Sequence, residues 1–559
     1  MRRPLLVPVL LLLGTSWAST LPVRTQPSFL EARHVWEVVQ SGVSPAKGKL
    51  PAARLMDLDL VLPLRDAADL DKFLADLYNP ASSSYRQFLT VEQFTARFGP
   101  TQADYDAVVN FAKAHGFTVT GGSRDGMEVQ VRGQVSAIES AFHVSLQTYQ
   151  HPFENRAFYA PDRNPTLNLP VRIAHVSGLD NYSIPRPQYV SKDTYAKAHG
   201  NEAATLAATL PAQPSGSGPQ GSFLGSDMRA AYYGHGNLTG TGQRLGLLEF
   251  YGTNLTDFHN YLRDAGEVSN VPITLLSTDG SKTTCSKAAG CDDTEQTIDM
   301  TQAIGMAPGL AGLVLYIGRT DTAILASMVS RRPLANTIAC SWIWWGDPLA
   351  LDPYFKRMAA QGQNFFAASG DSGSWGFDYV PWPADGAYVV SVGGTALKTS
   401  GAGGSWLSEA AWINGGGGVT PEEIATPYWQ KLAGVITTAN QGSRKWRNGP
   451  DVAANADFTF YTCANQTQCK ANYYGGTSFA APMWAAYMAL VNQQRHERGM
   501  GPIGFINPTI YAKNVTAKYG TGFHDIQQGK ADRYLAIKGY DLATGWGSPK
   551  PGLISVLAP

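Results

Sequence analysis

The chain has 559 residues, with 44 basic against 44 acidic side chains, so no net charge draws it toward nucleic acid or an anionic membrane. With 44% hydrophobic residues it has the composition of a globular protein, and its length exceeds what one ordinary core holds. Beyond the first few turns of chain no stretch reaches the roughly 20 uninterrupted apolar residues of a membrane span.

Residues 1–18 read as an export signal. Arg2 and Arg3 precede the apolar run Pro4 to Leu13, and Ser16-Trp17-Ala18 places small residues for cleavage after Ala18. A secreted, extracellular protein is expected. The cysteines suit that compartment if they pair locally, Cys285 with Cys291 and Cys463 with Cys469, each pair closing a small polar loop. Cys340 is left over, in an apolar run from Thr337, and reads as a buried, inert thiol.

Residues 30–182 carry the pattern of a small α+β domain. Leu70, Phe73, Leu74, Leu77 and Tyr78 recur at helical spacing after Asp66, as do Tyr105, Val108, Val109 and Ala112 after Thr101. Phe117 to Thr120 and Met127 to Val131 alternate faces, and the turn Gly121-Gly122-Ser123 pairs them as a hairpin. A third helix is expected from Ser136 to Phe142. Residues 183–222 then change character: Ala207 to Gln220 is mostly Ala, Pro, Gly and Ser without a periodic apolar face, which reads as a flexible linker open to an activating cut.

From 223 to 559 the pattern becomes α/β. Leu245 to Phe250, Leu313 to Ile317, Asn336 to Ser341, Phe365 to Ala368 and Val389 to Val392 are mostly apolar strands with helical segments between several of them. A largely parallel sheet covered by helices on both faces follows, with its site at the carboxyl ends of the strands.

Gly475-Gly476-Thr477-Ser478 delivers a serine to the start of a helix expected over Ala480 to Leu490, with Pro482 in its first turn. Ser478 there is a candidate nucleophile, and equally an ordinary helix cap. Subtilisin-like enzymes share Gly-Thr-Ser before a helix, but their base is a histidine, and none lies between Asp371 and Ser478. A carboxylate is the remaining base. Asp292 or Asp293 caps a helix on which Glu295 and Asp299 stand one turn apart, close enough to share a proton if buried and otherwise a solvated face. Ser369-Gly370-Asp371-Ser372-Gly373 directly follows an apolar strand, which turns Asp371 toward the cleft or leaves it capping local amides.

Glu295, Asp299, Asp371 and Ser478, in this order and context, resemble the sedolisin family of serine-carboxyl peptidases, in its kumamolisin-like branch. Tyr85 to Thr90, Phe98-Gly99-Pro100 and Val176 to Asn181 resemble that family's propeptide. Ser341-Trp342, Gly393-Gly394-Thr395, Trp412 to Gly418 and Pro450-Asp451-Val452 resemble its catalytic domain.

The resemblance implies a subtilisin-like parallel-sheet catalytic domain behind a small α+β propeptide domain. It implies that Ser478 attacks, Glu295 moves the proton, Asp299 orients Glu295, and a neutral Asp371 supports the oxyanion. Glu249 and Trp342 stand where accessory members of that network are found. The resemblance also implies a single structural Ca²⁺ held by the carboxylates of Asp525 and Asp541 and the carbonyls of Ile526, Ile537 and Gly539. Pro381 stands where some relatives carry an aspartate in the pocket before the cut, a role that Asp378 or Asp385 could fill instead.

The expected protein is therefore a secreted zymogen of an acid-acting serine-carboxyl endopeptidase, monomeric, acting on proteins or peptides and inhibited by its own propeptide. Two alternatives are a tripeptide-releasing exopeptidase of the same family and a catalytically silent secreted binding protein.

Overall fold

A computed structural model describes residues 28–30, 32–200, 215–376 and 381–558. The export signal at 1–18, the central part of the linker and Asp378 lie outside the described residues.

The first domain is built on a four-stranded antiparallel sheet. Its strands are β1 (Leu55–Val61), β2 (Thr118–Ser123), β3 (Glu128–Gln134) and β4 (His175–Ser177), in spatial order β2-β3-β1-β4. The expected hairpin is the β2–β3 pair, with Val119 opposite Val131, but Gly121-Gly122-Ser123 lies within β2 and the turn falls at 124–127. The expected helices are α1 (Ala67–Leu77), α3 (Gln102–Ala114) and α4 (Val135–Phe142), with α2 (Val91–Arg97) unforeseen. Asp66 caps α1, and Thr90 and Thr101 start α2 and α3 with reciprocal side-chain bonds to Gln93 and Asp104. Only one side of this domain closes on itself. Leu70, Leu74, Leu77, Phe94 and Met127 belong to the same continuous core as the second domain.

The second domain holds an eight-stranded sheet formed by β5 (Arg244–Glu249), β6 (Ile273–Ser277), β7 (Gly312–Ile317), β8 (Thr337–Cys340), β9 (Asn364–Ala368), β10 (Val390–Thr399), β11 (Trp406–Ala411) and β12 (Val452–Asn455). The order is β6-β7-β5-β8-β9-β10-β11, with β12 also on β10, and all neighbours are parallel except β10 and β11. The five expected strands form the centre of the parallel array. The edge β6, the antiparallel β11 and β12 were not legible.

Helix α5 (Gly225–Tyr232), α6 (Leu255–Ala265), α7 (Thr294–Met306), α8 (Asp321–Ser330), α9 (Pro348–Ala360) and α10 (Thr477–Glu497) cover the sheet. Helix α10 is buried from Thr477 to Gln493, which explains its Ala-rich sequence: small side chains let α7 and the strands approach closely. It begins earlier than expected, at Thr477, so Pro482 falls in its second turn. There the missing N–H leaves the Ser478 carbonyl to the Ser341 hydroxyl at 3.5 Å.

The first domain docks on α8 and α9. The Tyr78 hydroxyl donates to the Ala359 carbonyl (2.8 Å) and accepts from the Phe505 N–H (2.9 Å), and Leu89 N–H donates to the Ala360 carbonyl (2.9 Å). Arg357, buried at this junction, reaches the Asp125 carbonyl and the Thr95 hydroxyl and stacks over Phe94. The two disulfides join the expected partners, Cys285 to Cys291 and Cys463 to Cys469, and Cys340 is free and buried.

Parts of the stretch read as linker are folded. Arg186–Pro187 and Val190–Ser191 are short strands, Lys192–His199 is a helix, and Ser217 donates twice to Asp227 of α5. These pieces are held by main-chain pairing and polar contacts, which leave no periodic apolar face to read.

Candidate active site

Glu295 and Asp299 lie on α7, and both are buried because the helix is covered on every side. The expected cap is divided. Asp292 Oδ1 accepts from the Thr294 N–H (3.0 Å), whereas Asp293 turns its carboxylate to the N–H groups of Asn254 (2.8 Å) and Asn465 (3.0 Å). Asp371 follows β9, and Ser478 is the second residue of α10. The fold thus brings all four expected residues to the carboxyl ends of the central strands.

Ser478 Oγ donates to Glu295 Oε2 at 2.8 Å. The Ser341 hydroxyl, just past β8, donates to Asp299 Oδ1 at 2.6 Å. Trp342 Nε1–H donates to Glu249 Oε2 at 3.0 Å, so these two residues do join the constellation. Asp371 Oδ1 accepts from both the N–H and the hydroxyl of Thr477, each at 2.8 Å. Ser341 as a donor to Asp299 and Thr477 as a support for Asp371 were not anticipated; a hydroxyl residue directly after an apolar strand is the only signal the first of them left.

The second oxygen of each carboxyl, Glu295 Oε1, Asp299 Oδ2, Glu249 Oε1 and Asp371 Oδ2, is buried without a hydrogen-bond donor. Burial pushes Glu295 well above the usual carboxyl range, and the like charges of Asp299, Glu249 and Asp371 push it further against the opposing Ser478 bond. Burial and then Asp299 raise Glu249, and burial raises Asp299. Asp371 is pushed up to about 8 by burial, with the Thr477 bonds opposing. Like charges this close do not all ionise, so the four carboxyls share fewer protons than they have sites, and Glu295 acts as a base in the state in which it is the ionised member. A protonated Asp371 is a donor where an ionised one would repel.

The cleft above Ser478 carries the chain's own segment 186–191. Arg186 and Pro187 pair antiparallel with Ile343 and Trp342, and Val190 and Ser191 pair with Gly475 and Tyr474. Between the two strands, Gln188 N–H donates to the Ser341 carbonyl (2.8 Å), and the Gln188 carbonyl accepts from the Ser478 N–H (2.9 Å). Gly476 is indispensable here: a Cβ on it would lie 2.4 Å from the Gln188 oxygen and 2.6 Å from Asp371 Oδ2, at a φ of +151°. Both oxygens therefore crowd the same side of Gly476. Asp385 is buried and accepts from the Thr420 hydroxyl at 2.6 Å, so it offers no charge to a substrate side chain and does not replace the missing aspartate at Pro381.

In the carboxy-terminal part of the domain, Asp525 and Asp541 face the same loop. Asp525 Oδ1 accepts from Gly539 N–H (3.0 Å), and Asp541 Oδ2 accepts from Ile537 N–H (2.9 Å). Their other partners are Tyr519, Gln527, Ala543 and Thr544, all neutral donors. Among the described residues, the carbonyls of Ile526, Ile537 and Gly539 accept no hydrogen bond. Two carboxylates without a basic partner, together with three open carbonyls, form an all-oxygen donor set that fits a hard divalent cation such as Ca²⁺.

Two family models match the chain: Pro-kumamolisin, activation domain, over residues 44–182, and Subtilase family over residues 308–533. The subtilase match begins after α7, leaving the Glu295–Asp299 helix outside it. The chain is 30% identical over 494 residues to kumamolisin of Bacillus sp. (strain MN-32), covering 83% of this chain and 84% of that protein. It is 26% identical over 598 residues to sedolisin of Pseudomonas sp. (strain 101), covering 98% of this chain and 94% of that protein. The solved structure of Pseudomonas sedolisin, a serine-carboxyl proteinase complexed with two molecules of pseudo-iodotyrostatin, has a similar fold. It superposes with a TM-score of 0.50 at 23% identity, over 62% of this chain and 98% of that one.

Proposed function

This chain belongs to the sedolisin family of serine-carboxyl peptidases and carries a propeptide domain, and from that premise we propose that it is a secreted zymogen of an acid-acting endopeptidase. The observation that carries the reading is the segment lying through the cleft with the Gln188 carbonyl on the Ser478 N–H. The chain continues on both sides of that contact, toward Ser183, whose hydroxyl accepts from Trp345 N–H (2.8 Å), and toward Ser191. A cleft open at both ends suits cleavage within a chain rather than removal of three residues from its end.

The chemistry follows from the contacts. Ser478 Oγ passes its proton to Glu295 Oε2 as it bonds to the scissile carbonyl carbon. The resulting oxyanion takes the Ser478 N–H and the proton on Asp371 Oδ2 as donors, in a water-excluded site where such bonds weigh most. Glu295 returns its proton to the departing amine as the C–N bond breaks, and water then resolves the acyl-serine by the same steps. Burial keeps Glu295 a base of raised pKa, and Asp299, fixed by Ser341, and Glu249, fixed by Trp342, add to that whenever they are ionised and otherwise hold the shared protons.

In the zymogen the bond so placed is Gln188–Tyr189, and the propeptide inhibits by filling the cleft. The Asp525–Asp541 loop would hold one Ca²⁺, which supplies cross-linking of the carboxy-terminal loop and no chemistry at Ser478. Acidifying the full chain and sequencing new N-termini tests the proposal. A first cut within 186–191, absent in Ser478→Ala, is expected; an active enzyme still joined to residues 55–182 would sink it. Hydrolysis of peptides with blocked amino ends separates endopeptidase action from release of tripeptides.

A further inference from the structure

With the Gln188 carbonyl at Ser478, the next residue, Tyr189, occupies the leaving-group side of the cleft, and its surroundings form a built pocket. Its ring stands edge-on to Tyr474, centroids 5.7 Å apart at 82°, and Tyr474 is in turn braced edge-on by Tyr473 at 4.9 Å. The Tyr189 phenol lies beside the Thr294 side chain, and burial, with Asp292 and Glu295 close by, raises it well above its usual range. Thr294 is itself fixed: Asn465 Nδ2 donates to its hydroxyl (3.1 Å) and to Asp292 Oδ1 (2.9 Å). The loop carrying Asn465 is closed by Cys463–Cys469, and Gln466 Oε1 accepts from Lys287 N–H (2.8 Å) in the loop closed by Cys285–Cys291. Two disulfide loops thus lean on each other behind the pocket wall. One residue further along, Val190 packs against the buried group Trp412, Ala456 and Phe458.

We propose that Tyr474 and Thr294 form a specificity pocket for an aromatic residue, tyrosine above all, directly after the scissile bond, followed by a medium apolar residue. The inference rests on Ser478 being the nucleophile, since that sets the register. Tyr474 supplies an aromatic edge contact that small or charged side chains cannot use. Thr294 supplies the polar partner that distinguishes tyrosine from phenylalanine, because a pocket built around a hydroxyl leaves its own polar group unpaired when that hydroxyl is missing. Asn465 acts through Thr294 and is a positioning residue. Its side-chain nitrogen is occupied by these bonds, so the sequon Asn465-Gln466-Thr467 is not available to a glycan without dismantling the wall.

The test is a set of amino-blocked peptides Pro-Arg-Pro-Gln-Xaa-Val-Ser, with Xaa as Tyr, Phe, Leu, Ala or Lys, digested by the acid-activated enzyme and read by mass spectrometry. For the wild type, kcat/KM for Tyr is expected to exceed that for Ala by about tenfold or more, with Phe between them. Tyr474→Leu should collapse the aromatic-to-Leu ratio toward unity, and Thr294→Val should remove the advantage of Tyr over Phe. Each readout is a ratio within one enzyme, so a loss of overall rate does not obscure it. Cleavage of all five peptides at rates within about twofold would overturn the pocket and leave the peptidase reading intact. No cleavage of any peptide between about pH 2 and 8 would overturn the peptidase reading instead.

Discussion

Two buried acidic sites in the same domain are handled in opposite ways. Asp451, at the start of β12, accepts from Ser391 N–H (2.8 Å), Asn507 Nδ2 (3.0 Å) and Tyr511 O–H (2.7 Å), and pairs with the equally buried Arg447 at 2.5 Å. Glu295, Asp299 and Glu249 are as deeply buried and Asp371 is half-buried, yet each keeps one buried oxygen without a donor, and the charges acting on Glu295 are all negative. A fully paired carboxylate is a fastening. Carboxyls left half-paired next to a serine hold protons, and that makes the site depend on pH.

Removing a partner from the paired site should cost the most stability. Asp451→Ala strands the Arg447 guanidinium in the interior, and a loss of about 3–5 kcal/mol is expected, seen as a lowered thermal midpoint of the activated enzyme. The same deletion in the half-paired site should spare the fold and strike the rate. Asp371→Ala is expected to lower kcat by about 10²–10³-fold, the usual cost of one oxyanion donor. Asp371→Asn, whose amide donates at any pH, should retain more activity and carry it further into the neutral range, which a pH–rate comparison of the two variants reads directly. If Asp371→Asn were as slow as Asp371→Ala and had the wild-type pH profile, Asp371 would not be the donor.

A third way of compensating acid charge is a cation, and Asp525 with Asp541 offers it. Stripping Ca²⁺ with a chelator should lower the thermal midpoint by the equivalent of about 3 kcal/mol at saturating metal, and Ca²⁺ should restore it. A midpoint indifferent to chelator would show that amide donors alone satisfy these two residues.

The smallest expected effect lies at the propeptide junction. Asp59 is buried against the second domain, accepts from the hydroxyls of Thr320 and Thr322, and faces Asp279 and Asp321. Burial pushes it up to about 6 from 3.8, so the docked form binds a proton that the free propeptide releases. Its contribution is fully present below about 4 and is lost as pH rises through about 6. Asp59 therefore tightens docking in acid, opposite in sign to the exposed pairs Arg319–Asp57, Lys356–Asp71 and Arg332–Glu92, which acid weakens. Exposed pairs contribute roughly 0–1 kcal/mol each. Asp59→Asn is expected to strengthen inhibition at neutral pH by on the order of 1–3 kcal/mol, measured as the affinity of the isolated propeptide for activated enzyme. With docking tightened in acid at Asp59, cutting of the chain is the chief route of release.

Much of the site was legible because its signals are local. A turn-spaced Glu295 and Asp299, an aspartate directly after an apolar strand and a glycine pair ahead of Ser478 all survive as patterns in the linear chain. What depends on distant contacts was not legible. Trp342 meets Glu249 across 93 residues through the parallel pairing of β8 with β5, a contact that only the family resemblance pointed to, and Ser341 reaches Asp299 on α7 across 42 residues. Segment 186–191 enters the cleft by main-chain bonds, which any sequence can make, so nothing in its composition marks it. The edge strand β6 has no fully buried residue and β11 alternates with exposed positions, whereas the central strands carry the continuous apolar runs that identify them.

The most direct test of the central claim is the pH dependence of kcat/KM for the activated enzyme on one blocked peptide, from about pH 2 to 8. A carboxyl network that works by holding protons predicts a maximum on the acid side of the Asp371 ionisation, which burial lifts to about 8, and a rate that falls as that pH is approached. Maximal hydrolysis at neutral or alkaline pH, with none in acid, would contradict it.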